Sequence, residues 1–180
     1  MASQVILVGA NPIVRLFDGD AVTAFASVWV VDWSPRGSGT ALVLWHRDRV
    51  RVLGADPELA AWLADDFTRH FPEAESLAWR RGEVETEPVA VDVDLTDGLR
   101  ATAADVTVRA SGILDRRTFA TDSFELDGHP YGLSLVLAPA AEAGIRVAGA
   151  ELPGDVRLTG TADRPTSSAF VTAAEVWSRP

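Results

Sequence analysis

Three histidines are the most versatile chemical groups in this chain, and each has a possible partner close by in sequence. His46 continues an apolar row with Leu42 and Leu44 and stops just short of Arg47-Asp48. A ring in that position can act as a general base or hydrogen-bond donor at a pocket rim, tuned by Asp48. Its plainer role is a strand-end ring bonded to turn backbone. Asp66 and His70 are four residues apart, a spacing that on a helix lets a carboxylate orient an imidazole, and that also makes an ordinary surface pair. In the stretch FELDGHPYG, Asp127, His129 and Tyr131 crowd around one turn, where a loop histidine beside a tyrosine can move a proton. The three rings are far apart in sequence and show no H-x-H pairing, so no metal site is expected from them.

Aromatic side chains are the second resource. Trp29, Trp33 and Trp45 flank a single Gly/Ser/Pro turn, and Phe25, Trp62 and Phe67 lie on neighbouring segments. Tryptophan is bulky and usually needs a partner for its N–H, so a set of this kind either fills a core or walls an apolar pocket with a few placed polar groups. These six are the expected ligand-binding residues, and His46, His129 and Tyr131 the expected polar or catalytic ones.

Other clusters read more blandly. Asp92, Asp94 and Asp97, and the run EVETE, fit the wet side of a strand and lack EF-hand spacing. The turn SPRGSGT matches neither a P-loop nor a dinucleotide fingerprint, and there is no G-x-S-x-G elbow. No cofactor is expected.

Composition narrows the field. The chain has 180 residues, no cysteine and a net charge of −10, and every one of its 16 basic residues is arginine. The missing thiols exclude disulfides, thiolate metal sites and cysteine nucleophiles, and the missing lysine excludes Schiff bases and P-loop chemistry. The acidic balance disfavours nucleic acid and anionic membranes as partners. The N-terminal run MASQVILVGANP has no basic region and a short apolar core, so it reads as a strand and not as a signal peptide. A single cytoplasmic domain spanning 1–180 is expected.

The elements that must position these groups are mostly strands. Alternating runs are expected at 4–9, 13–17, 22–33, 40–46, 49–53, 76–81, 88–95, 99–110, 118–126, 131–138, 144–149, 155–160 and 168–177. Asp97-Gly98 and Asp127-Gly128 are hairpin cues. In 22–33 both faces are apolar, with Phe25, Trp29, Val31 and Trp33 on one and Ala24, Ala26, Val28 and Val30 on the other, so this strand should be covered on both sides. One main α-helix is expected at 57–71, capped by Asp56, started by Pro57 and stopped by Pro72, with Leu59, Trp62, Leu63, Phe67 and Phe71 as its inward stripe. The Ala-rich stretch 138–144 can add a turn of helix.

The fold expected is mainly β, a strongly bent antiparallel sheet closing into a barrel because closure removes exposed edges, with the helix covering or plugging it. A two-sheet sandwich is the alternative. Three function classes fit: binding of a small, mostly apolar or aromatic molecule; cofactor-independent isomerase, cyclase or hydrolase chemistry with a histidine acid/base; or a non-catalytic interaction or self-assembly module, such as a homodimer.

Overall fold

The computed structural model describes residues 2–180. The chain is mainly β. Its strands are β1 (Gln4–Ala10), β2 (Ile13–Asp18), β3 (Ala21–Trp33), β4 (Gly39–His46), β5 (Arg49–Gly54), β6 (Arg80–Thr86), β7 (Ala90–Asp94) and β8 (Gly98–Ala103). They continue with β9 (Val106–Ile113), β10 (Arg117–Leu126), β11 (His129–Val147), β12 (Ala150–Glu151), β13 (Leu158–Gly160), β14 (Pro165–Ser167) and β15 (Ala169–Arg179). All but β13 and β14, which form a small sheet of their own, belong to one large bent sheet.

The sheet contains a local ring of hydrogen-bonded strands. β3 pairs with β2 through its first half and with β1 through its second, and β15 does the same from the other side. β1 and β2 therefore act as one long strand interrupted at Asn11-Pro12. Proline has no N–H for the ladder, and the Asn11 N–H is diverted to a side chain, Thr172 Oγ1, at 2.7 Å. The interruption leaves a seam in the middle of the sheet, filled by polar side chains. Full closure into a barrel is not what the pairing gives: β6 and β7 end the strand path and do not pair with each other.

A bend brings the layers together instead. β9 and β10 succeed one another along the same edge of the long β11, forming a single extended hairpin around Asp127-Gly128, both in the left-handed region. The far half of this hairpin, with β7 and β8, folds over one face of the main sheet. Leu99, Ala101, Val108 and Ile145 there pack against Ala24, Ala26, Val28, Leu42 and Leu44. The opposite face carries Phe25, Trp29, Val43, Trp45 and Trp177 and is covered by the helical segment. Strand β3 is thus buried on both sides, as its sequence requires.

The helical segment runs from Pro57 to His70 but changes pitch twice. An α-helical stretch, α1 (Pro57–Trp62), passes into a π-helical turn at Leu63–Phe67 and a 3-10 turn at Thr68–His70. Asp56 caps it, its Oδ1 accepting from Glu58 N and Leu59 N at 3.1 Å each. The pitch change has a packing reason. Four residues of α-helix overshoot a full turn by about 40°, so Leu59, Leu63 and Phe67 would drift off one face. The wider π turn reverses that drift, and all three stay buried.

Four strand boundaries depart from expectation. The expected 76–81 strand starts later, at Arg80, and 99–110 is split by a turn at Ala104-Asp105. The pair 131–138 and 144–149 is one strand, β11. The Ala-rich stretch 138–144 lies inside it, because Ala138 and Ala140 are small enough to fit beneath the overlying layer. Residues 155–160 contribute only the short β13.

Candidate functional site

The clearest site lies beside the Asn11-Pro12 seam. A cleft of about 240 Å³ opens there between the helix-covered face of β15, β11 and β10 and the chain around Phe71. Its walls are apolar, from Phe71, Phe124, Leu135, Phe170 and Trp177, and Phe119 at its edge is 42% exposed. Four polar residues reach it: Asn11, Glu73, Thr172 and Glu175.

Local backbone geometry aims Glu175 inward. Phe170 and Thr172 face the helix side of β15, and simple alternation would then turn Glu175 and Trp177 to the other face. Ala174 breaks the alternation. Its φ of +48° is unusual for a residue with a Cβ, and the pairing of β15 with β11 shifts between Ser134 and Val136, opposite it. This bulge adds one residue to the strand and re-aims the side chains beyond it, a common device beside functional sites. As a result Phe170, Thr172, Glu175 and Trp177 all line the same cleft.

Glu175 is only 2% exposed yet well provided with donors. Trp177 Nε1 donates to its Oε1 at 2.6 Å, and Thr172 Oγ1 donates to its Oε2 at 2.8 Å. Asn11 Nδ2 extends the network by donating to Ser27 Oγ at 2.8 Å and to the Val28 carbonyl at 2.9 Å. Ser27 Oγ lies 3.1 Å from Thr68 Oγ1, which accepts from Trp29 Nε1 at 3.0 Å. The seam is thus stitched to the helical segment by a buried chain of hydrogen bonds. Loss of water pushes the Glu175 carboxyl above the ordinary range, against the opposing pull of Trp177 and Thr172. Burial also raises half-buried Glu73, with Arg15 pulling it the other way.

The residues singled out in the sequence divide into two groups. Phe25, Trp29 and Trp45 are buried core and line neither this cleft nor the one beside Trp62. Trp33 projects at the end of β3, 51% exposed. Trp62, Phe67 and Tyr131 do converge, on a second cleft of about 450 Å³ with Arg36, Asp66 and Arg179. His129 and Tyr131 share a further hollow with Arg179. His46 lies apart from these, its Nδ1 donating to the Thr23 carbonyl at 3.0 Å. Asp66 and His70 do not pair. The π and 3-10 turns between them change the rotation per residue, and His70 Nδ1 lies 3.9 Å from Asp127 Oδ1 instead.

Glu175, Asn11 and Thr172 were not anticipated from sequence. The signal present was a single acid in VTAAEVW, a run apolar but for that acid and Thr172, together with a proline interrupting what would otherwise be one strand. Among the described residues no group of three or more His, Asp or Glu stands ready to hold a metal ion, and no helix is long and apolar enough to cross a membrane. No family model, curated protein or solved structure matches the chain.

Proposed function

We propose that the protein binds a small, mostly apolar organic molecule, with its ring or chain against Phe71, Phe124, Leu135 and Trp177 and one hydrogen-bond donor directed at Glu175. The observation that carries this reading is a buried carboxyl, fixed by two donors, at an otherwise apolar cleft. A pocket with apolar walls and one or two placed polar groups suits a ligand of that character. Each carboxylate oxygen has a second lone pair, so Glu175 can accept from a ligand without releasing Trp177 or Thr172.

Tryptophan emission during titration with naphthol, naphthylamine and naphthalene tests it. Naphthol and naphthylamine should bind, and naphthalene about tenfold more weakly for want of the donor. Glu175→Gln should narrow that difference. Leu135→Trp should block all three by filling the cleft. Absence of binding by every probe, or binding that Leu135→Trp leaves intact, would overturn the reading.

A second reading rests on the raised Glu175 carboxyl. An acid raised above its ordinary range by burial, beside an apolar cleft, is a candidate for general acid–base catalysis without a cofactor. Mass spectrometry of molecules carried through purification, before and after incubation with wild-type protein and Glu175→Gln, separates binding from turnover. A molecule that changes only with the wild type supports catalysis, and one that persists with both supports binding alone.

A further inference from the structure

We propose that the second cleft, lined by Arg36, Trp62, Asp66, Phe67, Tyr131 and Arg179, is a separate binding site for a small planar aromatic anion.

Two pairings of guanidinium and ring line this cleft. Arg36 Cζ lies 5.5 Å from the Trp62 ring centroid, and Arg179 Cζ lies 5.7 Å from that of Tyr131. A guanidinium held over a ring keeps its N–H edge free, and that planar edge matches a carboxylate. Neither arginine forms an ion pair with a carboxylate among the described residues. Six other arginines and one histidine do, in a chain where acids outnumber bases 26 to 16. Ten of the sixteen arginines lack such a partner among the described residues, so these two matter because they converge on one cleft, each over an aromatic ring. Asp66 faces two arginines in the lining, which is net positive while the chain as a whole carries −10; Glu58 and Asp65 border the adjoining hollow on the far side of Arg36 and Trp62.

The cleft is also organised before any ligand arrives. Arg36 rides on a turn closed by buried Ser34, whose Oγ accepts from Arg36 N at 3.1 Å and donates to the Gly37 carbonyl at 2.6 Å. Arg179 and Tyr131 project from the neighbouring strands β15 and β11. The aromatic walls continue inward, with Trp62 edge-on to Phe67 at 5.0 Å and Phe67 edge-on to Trp177 at 5.3 Å. Phe67 belongs to this cleft and Trp177 to the first, so their contact forms the partition between the two. One side offers carboxyls and the other guanidiniums, so their ligand preferences should be opposite.

Naphthoate is the probe, monitored by calorimetry and by NMR of the arginine side-chain N–H groups. Naphthoate should bind and shift the Arg36 and Arg179 signals. Arg36→Gln and Arg179→Gln should each weaken it about tenfold, since each removes one charge-assisted contact. Glu175→Gln should leave it unchanged, and naphthylamine should not displace it. Both arginines are exposed, so the variants should fold, and wild-type thermal unfolding verifies that they do. The proposal is overturned by absence of naphthoate binding at millimolar concentration, by equal affinity in both arginine variants and the wild type, or by loss of binding in Glu175→Gln alone. The last result would assign the anion to the first cleft. Binding of naphthylamine in the first cleft is a separate measurement, so failure of one site leaves the other standing.

Discussion

Trp177 and Glu175 lie two residues apart on β15 and share a face, and the indole N–H of one donates to the carboxylate of the other at 2.6 Å. An aromatic wall and a buried acid are thereby locked into a single unit, and both line the same cleft. The first prediction concerns the cost of that acid. Burial raises its folded pKa above the unfolded value, so the folded state holds the proton longer. Its contribution to stability is complete below the ordinary glutamate pKa and is lost as pH rises through the folded value. Asp94, Asp105, Asp115 and Glu151 are shifted down and act oppositely, their contributions fading as pH falls. The difference between wild type and Glu175→Gln isolates one group from the rest. Urea midpoints measured across the mildly acidic to neutral range should show the variant gaining on the wild type as pH rises. A constant difference would show that Glu175 titrates alike in both states.

Ala174 supplies the second prediction. At φ +48° its Cβ is held in the left-handed region, a conformation costing roughly 1–2 kcal/mol for residues other than glycine. Ala174→Gly should leave stability unchanged or improve it. Ala174→Val, with a branched Cβ, should lose about 1–2 kcal/mol more. Deleting Ala174 should turn Glu175 to the opposite face and abolish naphthylamine binding. Denaturant titration and tryptophan emission read the two effects separately.

What could be read in advance was what local chemistry dictates. Asp56 caps its helix, Leu59, Leu63 and Phe67 face the core, and Asp127-Gly128 closes a hairpin, each as residue type and spacing require. The two-sided burial of β3 came from apolar residues at both parities. The site was hidden because it depends on three breaks in periodicity. The Ala174 bulge inverts the parity of Glu175. The Asn11-Pro12 seam joins two apparently separate strands into one. The π turn re-phases the helix and separates Asp66 from His70. An alternation pattern carries none of these, because each is selected by packing between segments distant in the chain. Trp62, Phe67 and Tyr131 were recognisable as wall residues; their convergence with Arg36 and Arg179 needed the fold.

His46 gives the third prediction, and it is a negative one for function. Its ring nitrogen is committed to the Thr23 carbonyl on the neighbouring strand, and the ring lines neither cleft. His46→Ala should cost about 1 kcal/mol through the lost hydrogen bond and leave the affinities for naphthylamine and naphthoate unchanged. A variant that folds normally yet loses either ligand would give His46 a role that its position does not suggest.

Trp29 and Trp33 share a strand and a parity but not an environment, and the fourth prediction is the contrast between them. Trp29 is 0% exposed, edge-on to Phe67 at 5.5 Å, with its N–H held by Thr68. Truncation to alanine removes a large buried ring and the indole N–H that donates to the Thr68 hydroxyl, so Trp29→Ala should lose about 3–5 kcal/mol. Because Thr68 also meets Ser27 in the chain leading to Asn11, the same change should loosen the first cleft and weaken naphthylamine binding even where the fold survives. Trp33, at 51% exposed, has little burial to lose. Trp33→Ala should stay within about 0.5 kcal/mol of wild type. Chemical denaturation of both variants checks the contrast. Equal losses at the two positions would mean that Trp33 is covered in solution.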